Sequence, residues 1–240
     1  MKLSDCFDRT YVLNLPERAD RRREIGEVLS AAGMAFEPGK LELFNAKRPD
    51  APGEFPSIGA RGCFLSHLGM LAKAKDLRLS RLLIMEDDLD LSPRVQEILS
   101  PLSERLGRDD WGMAYLGHVL KPETPPDAPF SLAEFVGPIA TTHFYAVHEQ
   151  VLNRLTTFLE EVLNRPAGHP EGGAMHVDGA FTTFRARNPD VVTLVARPNL
   201  GWQRSSSSDI TSQWYDRSAL TRGLISAARI VRRRLSPPPR

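Results

Sequence analysis

Cysteine is nearly absent: Cys6 and Cys63 are the only two in 240 residues. They form no CxxC pair and no zinc-type spacing with histidine, which argues against a disulfide scaffold or a structural zinc module and favours a reducing compartment. Long hydrophobic runs are missing too. No stretch approaches the roughly 18 apolar residues of a spanning helix, and the opening MKLSDCFDRT has no apolar signal core. The expectation is a cytoplasmic protein not integral to a membrane. An excess of either charge is lacking, with a net charge of +1, so a protein that coats nucleic acid is not expected. Lysine thins out as well, Lys121 alone following Lys75.

What is present is the composition of a folded domain, 41% hydrophobic and 25% charged, in a chain long enough to bury a full core. RTYVLNL reads as a buried strand closed by Pro16, and ERADRRREIGEVLSAAG as a helix stopping at Gly33. A second strand is predicted near Leu41 to Phe44, a helix from about Gly59 to Asp76, and a strand at Leu82 to Met85. A helix starting at Ser92 and Pro93 should reach about Leu106, followed by a strand in WGMAYLG. The prolines between His118 and Pro129 predict a loop or flap. SLAEFVG and ATTHFYAVH read as strands that pair antiparallel, EQVLNRLTTFLEEVLN as an amphipathic helix, VVTLVARP as a last strand and NLGWQRSSSSDIT as a polar loop. This alternation predicts a single α/β domain over residues 1–215, a mainly parallel sheet with helices on both faces, and a separate basic tail over 216–240.

One strand ends in an unusual way. RLLIMEDDLDLSP drives Leu82 to Met85 into the core, then sets Glu86, Asp87, Asp88 and Asp90 within five positions. Carboxylates that close together raise one another's pKa unless a cation joins them. Ligands of parallel sheets bind beyond the carboxyl ends of strands, and hard oxygen donors suit Mg²⁺ or Mn²⁺. If the strand continued, Glu86 and Asp88 would share a side and Asp87 would point away. The competing reading is a solvated acidic turn, with Asp90 a charge at the start of the following helix.

Other stretches bear on that choice. GARGCFLSH puts Gly59 and Gly62 at a helix start, where free N–H groups meet phosphate or sugar oxygens, and Cys63, Ser66 and His67 on one stripe. Local hydrogen bonds would equally satisfy that Ser and His. Arg18, Arg21, Arg22 and Arg23 are either donor contacts or the wet face of the first helix.

In this order, YVLNLPERADRR, GARGCFLSH and LLIMEDDLDL, with HVDG and PNLGWQRSSSSDI further on, resemble glycosyltransferase family 25, the lipopolysaccharide-biosynthesis and collagen-galactosyltransferase family. The resemblance covers most of residues 9–211. It implies a GT-A-type, Rossmann-like fold and an inverting transfer of a hexose, galactose or glucose, from a UDP-sugar to a saccharide or lipid-linked glycan acceptor. It also implies Mn²⁺ (or Mg²⁺) held against the diphosphate, with Glu86 and Asp88 at the ends of the acidic motif and Asp87 between them. Leu13, Asn14 and Arg18 would lie by the nucleotide, and Ser66 and His67 near the sugar. The motif reads Glu-Asp-Asp instead of Asp-x-Asp.

Inversion needs a base for the acceptor hydroxyl, and Asp178 in GGAMHVDGAF is the candidate, with a helix N-cap as its alternative. His176 is a candidate third metal ligand or diphosphate contact, with a purely structural role as its alternative. Gln203, Arg204, Ser208 and Asp209 are polar groups next to Trp202 in the sequence, which suits a sugar face, with Trp202 as a core residue the alternative, and Ser205 to Ser208 would form a lid. After Asp216 the chain carries seven arginines and no acid, interleaved with Leu224, Ile225, Ile230, Val231 and Leu235. That composition suits peripheral contact with an anionic inner membrane face, or a docked terminal helix. A phosphohydrolase would want a catalytic lysine near its aspartate, which the lysine-poor second half disfavours. A non-catalytic binding protein would be marked by loss of the acidic motif, which is intact.

Overall fold

The computed structural model describes residues 1–204. Strand β1 (Arg9–Asn14) is the RTYVLN run, buried from Thr10 onward because its apolar side chains pack on both faces of the sheet. Helix α1 (Ala19–Ala31) buries Ile25 and Leu29 and gives way at Gly33, whose φ of 71° is a left-handed turn that glycine adopts without strain. Strand β2 (Leu41–Asn45) lies parallel to β1. Helix α2 (Ile58–Asp76) begins at Ser57, whose Oγ accepts the Ala60 N–H at 3.0 Å. It leads into β3 (Arg81–Glu86), the strand that ends in acid.

A short β4 (Leu89–Leu91), a 3₁₀ turn at Pro93–Val95 and helix α3 (Leu99–Leu106) follow. Then come β5 (Met113–Val119), β6 (Ser131–Glu134) and β7 (Ala140–His148). Helices α4 (Glu149–Asn164) and α5 (Val177–Arg187) and strands β8 (Thr193–Arg197) and β9 (Gly201–Gln203) complete the described order.

The strands of the described residues form one sheet in the order β2-β1-β3-β7-β5-β8-β6, with β4 and β9 pairing beside it and β9 also touching β5. β1 is parallel to β2 and β3, and β5 to β8, while β7 opposes both its neighbours and β6 opposes β8. β2, β1, β3, β5 and β8 therefore share one direction, giving the mixed, mainly parallel sheet expected of this α/β chain. Period-two alternation sends Leu82 and Ile84 into the core under α2, α4 and α5, and Leu83 and Met85 into the core under α1 and α3.

Several local expectations are corrected. β6 does not pair with β7, because β7 is central and both its edges are taken by β3 and β5, which leaves β6 to the far edge on β8. The helix expected from Ser92 is divided, with Ser92 capping only the 3₁₀ turn and α3 starting at Leu99. Asp90 does not open that helix: it lies in β4 opposite Trp202 of β9, in what reads as a polar loop. The expected flap begins beyond β5 and is tied down by Arg94, which donates to the carbonyls of Pro126 and Ala128. Ser208, Asp209, the rest of the Ser205–Ser208 run, the boundary at 215 and the basic tail lie outside the described residues.

Candidate functional site

The parallel strands β2, β1 and β3 end side by side, at Asn45, Asn14 and Glu86. A cleft of about 320 Å³ opens beyond those ends, walled by Leu13, Arg21, Lys47, Glu86, Asp87 and Asp88 among others. Because β3 stops at Glu86 and the chain turns at Asp87 and Asp88, strand alternation ends there. All three carboxylates therefore line one cleft, instead of Asp87 pointing away.

The three have different partners. Asp87 is buried; it accepts from Asn14 Nδ2 at 2.7 Å and pairs with Arg21 Nη1 at 3.0 Å. Burial raises its pKa, against the pull of Arg21 and the Asn14 hydrogen bond. Glu86 accepts from Gln203 Nε2 at 3.1 Å and lies 3.4 Å from His67 Nε2. Asp88 reaches Arg21 at 3.7 Å through Oδ2, while its buried Oδ1 has no hydrogen-bond partner among the described residues. Desolvation and the neighbouring Glu86 push Asp88 up to about 7, with Arg21 only partly offsetting them. Arg204 closes the turn from the far side, donating to the backbone oxygens of Asp87 and Leu89 and pairing with Glu24 and Asp90.

On the opposite wall, Ser66 is fully buried and its hydroxyl is consumed in structure. It donates to Gly62 O at 2.6 Å and accepts the Lys47 N–H at 2.7 Å, pinning the segment after β2 to α2. Gly62 lies inside α2, one turn past its start, so the amides nearest the helix N-terminus are those of Ile58 and Gly59. Its lack of a side chain has another use: a Cβ there would meet Lys47 O at 2.6 Å. Cys63 also lines the cleft, and burial, helped by the charges of Glu86, Asp178 and Asp88, pushes its thiol well above the ordinary range. His67 is fully buried, with Nδ1 2.8 Å from Tyr145 Oη. Cys63, His67 and Glu86 bring their ligating atoms within 4.8 Å of one another, a grouping that could hold a metal ion.

The Arg18 guanidinium pairs with Asp20 at 2.9 Å, and Arg21, three residues on, reaches the acidic turn. His176 is the exposed N-cap of α5, and among the described residues it joins no metal-type grouping. Asp178 is not the N-cap but the second residue of α5, accepting the Gly179 N–H at 2.8 Å and the Thr141 N–H at 3.3 Å. Thr141 has a φ of 73°, a strained conformation for a β-branched residue, and its Oγ1 lies 2.9 Å from His143 Nδ1. Lys47 and Arg48 at the rim escape sequence reasoning, because only the parallel pairing of β1 and β2 brings the segment after β2 to the cleft.

An acidic turn at the end of a central parallel strand, facing basic residues across a cleft in a mixed, mainly parallel sheet, defines a GT-A-like, Rossmann-type architecture. Residues 7–121, just under half of the chain, match the model for glycosyltransferase family 25 (LPS biosynthesis protein). Procollagen galactosyltransferase 2 of Mus musculus is 27% identical over 135 residues, 46% of this chain and 21% of the relative. Procollagen galactosyltransferase 1-B of Xenopus laevis is 27% identical over 150 residues, 50% of this chain and 23% of the relative. The aligned part thus spans under a quarter of these relatives' length. Among solved structures, a glycosyltransferase involved in glycosylation of the major capsid of PBCV-1 aligns over 78% of this chain and 80% of its own, with 13% identity and a TM-score of 0.47.

Proposed function

We propose that this glycosyltransferase moves a hexose, galactose or glucose, from a UDP-sugar to a saccharide or lipid-linked glycan acceptor in surface-glycan synthesis. The observation that carries the donor site is Asp88: a carboxylate in the cleft wall with one buried oxygen that has no partner among the described residues, and a proton affinity raised by burial and by Glu86. Such a group is left short of positive charge, and the hard oxygens of Glu86 and Asp88 fit Mn²⁺ or Mg²⁺. When bound, the ion would neutralise the charge that develops on the departing diphosphate. Galactose is favoured among hexoses by the similarity to procollagen galactosyltransferases.

The chain's own residues supply the rest. Arg21, held by Asp87, and Lys47 at the rim bring positive charge to the diphosphate, with Leu13 and Gly62 forming the apolar floor and wall. Asn14 fixes Asp87, and Ser66 fixes the rim segment, so both act through others. Gln203 orients Glu86, and His67 backs it from beneath. Arg18, Ser208 and Asp209 remain proposed donor contacts on the family resemblance. His176 remains a proposed metal or diphosphate contact on the same ground. Asp178 is proposed as the base that takes the acceptor proton; the Thr141 and Gly179 amides hold its carboxylate toward one orientation.

Calorimetric titration with UDP in the presence and absence of Mn²⁺ tests the donor site. Binding that requires the ion in the wild type and is lost in Asp88→Asn is expected; UDP binding indifferent to Mn²⁺ would sink the reading. Turnover with a panel of UDP-sugars, read as UDP release, then identifies the donor.

A further inference from the structure

Beside the oxygen-lined turn lies a chemically different set of ligands. Cys63 and His67 are four residues apart on one face of α2, and Glu86 meets them from the end of β3. The His67 ring is fully buried, yet among the described residues its Nε2 has no hydrogen-bond partner and lies 3.4 Å from Glu86 Oε1. That separation is the edge of a tetrahedral site, since metal–ligand bonds of about 2.0 Å set nitrogen and oxygen ligands roughly 3.3 Å apart. The Cys63 sulfur lies within 4.8 Å of both, so it needs to move in by about 1.3 Å at most to complete the third corner.

The surroundings suit a metal-bound imidazole. With Nδ1 protonated and donating to Tyr145 Oη at 2.8 Å, Nε2 presents its lone pair to the cation, the usual arrangement behind a ligating histidine. Cys63 and Glu86 both line the cleft, which leaves the fourth corner facing open space. A thiol, an imidazole and one carboxylate form a borderline-soft donor set, preferred by Zn²⁺ and Co²⁺ over Mn²⁺.

We propose that Cys63, His67 and Glu86 form a zinc-selective site that excludes the donor-site cation by taking Glu86 from it. Coordination forms a zinc–sulfur bond and releases the thiol proton to solvent. The binding step stands on the three ligands alone, whereas exclusion of UDP and Mn²⁺ rests on the donor-site reading above.

Cobalt is the probe, because sulfur ligation gives it a charge-transfer absorption in the near ultraviolet. Titrating the metal-free 240-residue chain with Co²⁺ should raise that band, and adding Zn²⁺ should bleach it. The band should vanish in Cys63→Ser and survive in Cys6→Ser and Asp88→Asn, and zinc affinity by competition should fall at least about tenfold in Cys63→Ser. No band in the wild type, or a band that persists in folded Cys63→Ser, overturns the site. If Cys63→Ser does not fold, loss of the band in Cys6→Ser overturns it instead. Zinc should also abolish the Mn²⁺-dependent heat of UDP binding; a cobalt band with that heat unchanged overturns the exclusion. Absence of that heat before zinc is added counts against the donor-site reading, while the band still decides the zinc site.

Discussion

Asp88 stands where a carboxylate is hard to ionise, buried beside Glu86 with Arg21 as partial relief. An aspartate ordinarily ionises near 3.8, but here ionisation waits until about 7, so between those values the folded chain holds a proton that the unfolded one has shed. Stability should fall as pH rises through that window, with the loss complete above it. Metal-free Asp88→Asn should therefore exceed the wild type in stability at about pH 8, by on the order of a few kcal/mol, and match it near pH 4. Urea denaturation at the two pH values measures this, and an equal midpoint at the higher pH would contradict it. Asp178 gives the complementary test. Asp178→Asn should lower turnover by roughly a hundredfold or more while UDP and Mn²⁺ still bind, since its proposed place is at the acceptor hydroxyl. At this scale the acidic motif was readable because its carboxylates are consecutive, and Cys63 and His67 because four residues make one helix face. Lys47 was not, because a loop residue's neighbours are set by the strand pairing around it.

Elements were readable wherever burial imposed a period over several residues: β1, β3, α2 and α4 all fall within a residue or two of the expected bounds. β4 and β9 were not, because three-residue strands carry no period, and Asp90 and Trp202 look like loop residues until they pair. Their attachment depends on close backbone approach. Gly117 of β5 faces Gly201 of β9, and a Cβ on Gly117 would lie 2.5 Å from His143 Nε2 and 2.8 Å from Gly201 O. Gly117→Ala should push β9 away, costing about 1–3 kcal/mol and loosening the Gln203 bond to Glu86. Thermal denaturation would show the first effect and weakened Mn²⁺-dependent UDP binding the second. Gly62→Ala makes the same kind of clash with Lys47 O on the other wall. An unchanged melting temperature and UDP affinity in both variants would mean that the walls yield freely.

For the molecule as a whole, the strand–helix alternation gave the fold class, but composition could not reveal that β7 would enter the sheet against its neighbours and displace β6 to the edge. No helix of the described residues is long and apolar enough to cross a membrane; contact with a membrane through the basic segment from Thr221 onward is a proposal that rests on its composition. Deleting that segment should reduce co-flotation with anionic liposomes and leave flotation with neutral ones unchanged; equal flotation before and after deletion would dispose of the idea.

Strand β3 feeds alternate side chains to two separate hydrophobic cores, Leu82 and Ile84 to one and Leu83 and Met85 to the other, and then ends in the acidic turn. The placement of Glu86 to Asp88 is thus the joint outcome of two packings that share no side chain. In a random-substitution screen for lost activity, damage should therefore register from both sides of the sheet, and most inactive clones should carry changes that never touch the cleft. The mutational target for the proposed activity is nearly the whole interior.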